Sequence, residues 1–291
     1  MSDDRIAIVT PSFERDFTLC RTLNRSVIEF FPPDVPHYIL VDRRNLALFR
    51  PLDGGRTYVI AKEDVLPAGL KRLPGLNRWR SSGTLVPISG WLVQQIAKMA
   101  MAELLKVPTL LMVDSDAVFV RDVDPLLFAR DGTTRLFKSA GAIPASMTDH
   151  VTWHENAARL LGIPATSAPF DDYIGQVISW RRDLVLAMCR RIEAVTGTSW
   201  ANAIARTMHV SEYLLYGVFV ERVASAPSVW IDSNPRCNLR WEPIPLAYGA
   251  VADYLAALNP DDIALMISAH SRTDPGVRDL VVRRATNGRL P

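Results

Sequence analysis

Three observations predict a mixed α/β fold, with a mostly parallel sheet flanked by helices in a single domain. First, Ile6-Ala7-Ile8-Val9 is a short apolar strand. A helical pattern follows from about Asp16 through Phe17, Leu19, Leu23 and Val27, and Tyr38-Ile39-Leu40-Val41 is a second strand after Pro32-Pro33. Strand, helix, strand with short connections is a βαβ unit, which sets its strands parallel with a right-handed crossover. Second, Leu110-Leu111-Met112-Val113 is an uninterrupted apolar run, the mark of a strand covered on both faces. Third, no repeat, low-complexity segment or linker divides the 291 residues, a length that suits one large domain.

The remaining elements follow in order. Residues 57–61 form a third strand. Segment 66–90 mixes Pro67, Gly69, Pro74, Gly75, Gly83 and Pro87 with Lys71, Arg72, Arg78, Trp79 and Arg80. It has no clear period and is expected to be a functional loop that could close over a site. Ser89 or Gly90 then caps a helix over about 91–106, which leads into the apolar run. That strand is expected to continue through Asp114-Ser115-Asp116 to Val120. Asp124 before Pro125 reads as a helix cap with proline in the first turn. A strand over 135–139, a helix over 151–161 and a loop from Pro169 to Gln176 come next. A short strand at 177–179, a helix over 181–195 and a helix opened by Ser211-Glu212-Tyr213 follow. A late strand over 263–268 ends at His270, and 272–291 reads as a polar tail.

Composition removes several function classes. The chain is 48% hydrophobic and 22% charged with a net charge of +2, too balanced for a nucleic-acid binder driven by counterion release. Cys20, Cys189 and Cys237 are odd in number and widely spaced, which argues for a reducing, cytoplasmic setting and against a disulfide framework. No apolar run approaches the roughly 20 residues of a membrane span.

The strongest chemical signal is Asp114-Ser115-Asp116. On one strand the two carboxylates would share a side, roughly 7 Å apart at Cβ, and would call for a cation between or beside them. Hard cations such as Mn²⁺ and Mg²⁺ take oxygen ligands and leave positions for phosphates. His270, at the end of the late strand, is a candidate third ligand or an ordinary loop residue. Glu212, in a first helical turn, is a candidate general base or a charge favoured by the helix dipole. Thr10, Arg15 and Asp42 follow the first two strands, and Asp42 could accept from a base or ribose or cap the next turn. Gln94 and Lys98 could reach phosphate or base or form the solvated side of their helix, and Ser115 is a further donor-side candidate. Asp171, Asp172 and Gly175 are candidates for contact with a sugar, or simply turn residues. Seven tryptophans suit sugar stacking or packing, and Trp180, near that loop, is the acceptor-side candidate.

The run Ile8-Val9-Thr10-Pro11-Ser12-Phe13-Glu14-Arg15-Asp16, then Val41-Asp42, then the helix into Val113-Asp114-Ser115-Asp116, resembles the GT-A fold glycosyltransferases. It is similar to a poorly characterised bacterial group among them. Ser211-Glu212-Tyr213-Leu214-Leu215-Tyr216-Gly217 is the other sharp part of the resemblance, which spans about residues 5–272. The resemblance implies a cytoplasmic hexosyltransferase of polysaccharide biosynthesis that moves a sugar from a UDP- or GDP-sugar to a saccharide or other small hydroxyl acceptor. It implies a nucleotide-binding half over 1–121, an acceptor-binding half over 122–272 and a tail over 273–291. Asp116 would be the main ligand of Mn²⁺ or Mg²⁺, with Asp114 on metal or ribose and His270 completing the shell. A nucleotide role for Thr10 and Arg15, beside Asp42, is also what the resemblance implies. Glu212 would be the base of an inverting reaction, although many members carry Glu-Asp where this chain has Ser-Glu-Tyr. Two other readings compete. One is a haloacid-dehalogenase-type phosphatase with Asp114 as nucleophile, which the late position of the motif opposes. The other is a non-catalytic nucleotide-sugar binder.

Overall fold

A computed structural model describes residues 4–73, 76, 78–82, 84 and 86–290. In chain order the strands are β1 (Ile6–Pro11), β2 (His37–Val41), β3 (Thr57–Ala61), β4 (Leu70–Arg72), β5 (Arg78–Ser81), β6 (Ile88–Ser89), β7 (Thr109–Val113) and β8 (Ala117–Phe119). The second half adds β9 (Ala129–Arg130), β10 (Thr133–Phe137), β11 (Ser139–Ile143), β12 (Phe170–Asp172), β13 (Val177–Arg181), β14 (Val229–Asp232), β15 (Cys237–Arg240) and β16 (Ala264–Ile267). The helices are α1 (Phe17–Phe30), α2 (Leu46–Phe49), α3 (Lys62–Val65), α4 (Gly90–Leu104), α5 (Thr148–Leu161), α6 (Arg182–Thr196), α7 (Trp200–Thr207), α8 (Glu212–Phe219), α9 (Val251–Ala256) and α10 (Pro275–Ala285).

The central sheet runs β13-β7-β1-β2-β3. Its β7, β1, β2 and β3 are mutually parallel, and β13 closes the edge antiparallel to β7. The fold is therefore mixed α/β with a mostly parallel sheet. Period-two alternation sorts the side chains between two cores. Ala7, Val9, Leu110 and Met112 face the layer of α4 to α8, while Ile6, Ile8, Leu111 and Val113 face α1, α9 and α10. Helices on both faces explain why these strands read as unbroken apolar runs.

Several sequence expectations change. The strand expected through Val120 stops at Val113, and Asp114-Ser115-Asp116 is a turn closed by Ala117 N–H donating to the Asp114 carbonyl at 3.1 Å. Then β8 leaves the central sheet and pairs with β16, carrying the chain across to the α1 face. Asp114 and Asp116 thus do not share one side of a strand. Segment 66–90 is not one open loop. It contains the antiparallel β4-β5-β6 meander, pinned by Trp79, which is buried. Its Pro74, Gly75 and Gly83 lie outside the described residues. Asp171 and Asp172 lie on β12, paired with β11, rather than in a loop. The expected polar tail holds α10, capped by Asp274 and anchored by buried Val281 and Val282. Other expectations match the structure. Ser89 caps α4, Ser211 caps α8 and Asp124 caps the short turn Pro125–Leu127. The three cysteines are free and buried. Among the described residues no helix is long and apolar enough to cross a membrane.

Candidate active site

Side-chain parity delivers Asp114 to its partners. Leu110 and Met112 point toward α4, and the next residue of that parity is Asp114. There it meets Lys98 of α4, whose Nζ lies 2.9 Å from Asp114 Oδ1. The same Nζ donates to Glu212 Oε1 at 3.1 Å and to the Tyr213 hydroxyl at 2.8 Å, and stands 4.6 Å from the Tyr213 ring centroid. Lys98 and Glu212 are each 4% exposed. Burial alone would lower the lysine pKa, but Asp114, Tyr213 and Glu212 outweigh it and hold Lys98 well above its usual range. Lys98 is therefore a fixed cation. Burial raises the Glu212 pKa, opposed by the Lys98 charge. Gln95, one turn before Lys98, accepts the Glu212 backbone N–H at 3.1 Å and fixes the start of α8.

Asp116 turns to the other side of the Asp-Ser-Asp bend. Its Oδ2 accepts from the Ala269 N–H at 2.9 Å, and Ser115 Oγ donates to Asp16 Oδ2 at 3.4 Å. Burial, together with the nearby charge of Asp114, pushes the Asp116 pKa up to about 6. These groups line a cleft of about 660 Å³ between α1, the 269–273 turn and α10. Exposed Arg15 and His270 line it too, as do Arg21, Arg25 and Arg272. Arg278 holds the turn in place by donating to the carbonyls of Ile267 and Ser268, both at 2.8 Å.

The structure brings Asp114, Lys98 and Glu212 into one knot, and Arg15, Ser115, Asp116 and His270 into one cleft. It sends the other candidates elsewhere. The Thr10 hydroxyl accepts from His37 Nε2 at 2.9 Å inside the sheet, while Asn24 Nδ2 donates to His37 Nδ1 at 3.1 Å. Asp42 is buried against Lys62 at 3.2 Å and Arg72 at 3.3 Å, so its charge is already balanced. Gln94 is half-buried on α4. Asp171 pairs with Lys138 at 2.7 Å, and Asp172 accepts from the Ile174 N–H at 3.0 Å. Gly175 packs on Ile178, which a Cβ would meet at 3.0 Å. Trp180 is fully buried, with its ring 5.6 Å from Tyr213 and 5.5 Å from Tyr216. It therefore offers no face for a sugar, because the aromatic side chains of α8 pack over it. Sequence reasoning missed Asp16, Tyr213, Gln95 and Arg278. Tyr213 stood beside Glu212 in the sequence, whereas nothing local marks Arg278.

A divalent cation needs oxygen ligands here. Among the described residues no three His, Cys, Asp or Glu side chains are arranged to hold one. Asp114 commits one oxygen to Lys98 and Asp116 commits one to Ala269, which leaves one carboxylate oxygen on each. Mg²⁺ is usually held by one or two carboxylates plus substrate phosphates. Asp114, Asp116 and His270 are thus not assembled as a three-ligand shell; Asp116 and His270 line the same cleft, where the free Asp116 oxygen suits a cation shared with a phosphate.

Comparison with known proteins adds the following. No curated protein matches the sequence. Among solved structures, the crystal structure of apo mouse xyloside xylosyltransferase 1 overlays with a TM-score of 0.47 at 10% identity, covering 93% of this chain and 100% of that one. A family model described as a family of unknown function, DUF6492, matches residues 4–237. The chain belongs to the DUF6492 family.

Proposed function

We propose that this protein is a metal-dependent glycosyltransferase that moves a sugar from a nucleotide-diphosphate sugar to a hydroxyl acceptor. The observation that carries this reading is the Asp-Ser-Asp bend. It presents one carboxylate to a buried lysine–glutamate pair and the other to a cleft rich in arginine. Mn²⁺ or Mg²⁺ on Asp116, with His270 lining the same cleft and Asp114 on the far side of the bend held by Lys98, would neutralise the diphosphate as it leaves. Arg15 and Arg278 line the same cleft and add positive charge there, which suits the phosphates. Lys98 is saturated by its own partners, so its work is to hold Asp114 and Glu212 in place. Glu212 is the acceptor-side base. Burial raises its proton affinity against the opposing charge of Lys98, and a base of this kind takes the hydroxyl proton as the acceptor attacks. An inverting reaction follows from that role.

Calorimetry tests the reading. UDP or GDP is expected to bind only with Mn²⁺ or Mg²⁺, and Asp116→Ala abolishes that binding. Glu212→Gln keeps nucleotide binding but lowers turnover about 10²–10⁴-fold. Failure of every nucleotide diphosphate to bind overturns the reading. Binding that ignores both metal and Asp116→Ala removes the metal site, and near-normal turnover of Glu212→Gln removes the base.

A further inference from the structure

Helix α4 carries a stripe of side chains that runs from the Lys98 knot out to the surface. Trp91, Gln95 and Lys98 are spaced i, i+4, i+7 and form one stripe, about 10 Å long at 1.5 Å per residue. At its inner end Lys98 and Gln95 hold Glu212. At its outer end the large apolar Trp91 side chain is 48% exposed. It is not an isolated surface aromatic, because Trp153 of α5 packs beside it with ring centroids 6.0 Å apart and planes at 35°. The His150 ring lies 4.6 Å from Trp153. Two helices thus build an aromatic shelf. Between shelf and acid lies Gln95, 3% exposed. Its Oε1 is committed to the Glu212 N–H, which fixes which way the amide points. Its Nε2 has no partner among the described residues, so a buried donor stands unsatisfied beside the base, at a cost that a ligand acceptor would relieve.

We propose that Trp91, with Trp153 and Gln95, forms the acceptor subsite and that the acceptor it takes is a pyranoside. A pyranose ring has an apolar C–H face and an edge of hydroxyls. The face lies on the Trp91 ring, a hydroxyl oxygen accepts from Gln95 Nε2, and the stripe leads the next hydroxyl toward Glu212. A flat nucleobase fits less well. The 35° tilt of Trp153 leaves no parallel slot for it, and the phosphate-suited arginines stand across the bend in the other cleft. The assignment of this ligand as acceptor rests on the transferase reading; the binding of a pyranoside at Trp91 stands by itself.

The test titrates the full chain, without nucleotide, with methyl α- and β-pyranosides of glucose, galactose, mannose and xylose. Saturation-transfer NMR and tryptophan fluorescence report binding. At least one pyranoside is expected to bind. Trp91→Ala should weaken it about tenfold or more, as loss of a stacked aromatic contact predicts, whereas Trp91→Phe should largely retain it. No pyranoside binding, equal binding by Trp91→Ala, or preferential quenching by uridine each overturns the subsite. Parallel calorimetry with UDP and GDP plus Mn²⁺ separates the two ideas. Trp91-dependent pyranoside binding without nucleotide binding sinks the transferase reading and leaves the subsite standing. Nucleotide binding with no Trp91-dependent pyranoside binding does the reverse.

Discussion

Lys98→Met removes one charge from the centre of the knot while keeping most of the side-chain volume. The wild-type ammonium is 2.8–3.1 Å from three oxygens. Asp114 is about one-third exposed and water can solvate it, so its share of the loss is small. Glu212 has no such recourse, being 5% exposed at the side chain. Breaking a buried pair by removing one partner costs about 3–5 kcal/mol, which lowers Tm by roughly 5–15 °C for a chain of this size. The pH dependence has a definite sign. Without Lys98, burial raises the folded-state pKa of Glu212 above its unfolded value of 4.5. The penalty is therefore absent below the unfolded value, grows as pH rises through the window between the two, and is complete above the folded one. Thermal unfolding of wild type, Lys98→Met and Lys98→Met/Glu212→Gln between pH 4 and 8 measures it. The single variant should be strongly destabilised at pH 7.5 and much less so at pH 4, and Glu212→Gln should recover at least half of the loss. A deficit independent of pH, or a double variant weaker than the single one, refutes the idea that Lys98 serves to balance Glu212.

Two further outcomes are expected. Burial and Arg56 depress the His37 pKa from 6.5 to about 3, so its share of stability is fully present above pH 6.5 and lost progressively as pH falls toward 3. The loss runs at about 1.4 kcal/mol per pH unit, and His37→Gln should flatten that limb in urea titrations at pH 7.5 and 5. Gly217 lets α8 approach Tyr173, and a Cβ there would meet three ring atoms at 2.2–2.5 Å. Gly217→Ala should therefore cost about 1–3 kcal/mol or more by overpacking. Unchanged unfolding in denaturant would contradict so close an approach.

Much of the architecture was legible locally. Apolar runs and the helix between them gave β1, α1 and β2, because a strand buried on both faces has no polar side to show. Serine at 89 and 211 marked the starts of α4 and α8, because a hydroxyl that caps orphan N–H groups is a local device. The functional candidates were legible by type more than by place. Asp114, Asp116, Lys98, Glu212 and His270 all stand around the bend. Thr10 and Trp180 have the right chemistry and the wrong surroundings, since the pleat turns both inward. The bend itself was hidden because apolar residues resume at Ala117. Those residues serve a different sheet, a distinction that hydropathy does not carry. The α10 helix was hidden by its many charges.

By itself the sequence determined which residues carry charge, where α4 and α8 begin, and that an acid pair interrupts a buried apolar stretch. These depend on chemistry within a few residues of chain. Tertiary structure decided the pairings: Lys98 with Glu212, 114 positions apart, Asp116 with the N–H of Ala269, 153 apart, and Trp91 with Trp153 across two helices. Each depends on packing between elements distant in sequence, where burial raises the cost of an unpaired charge and selects the partner that meets it.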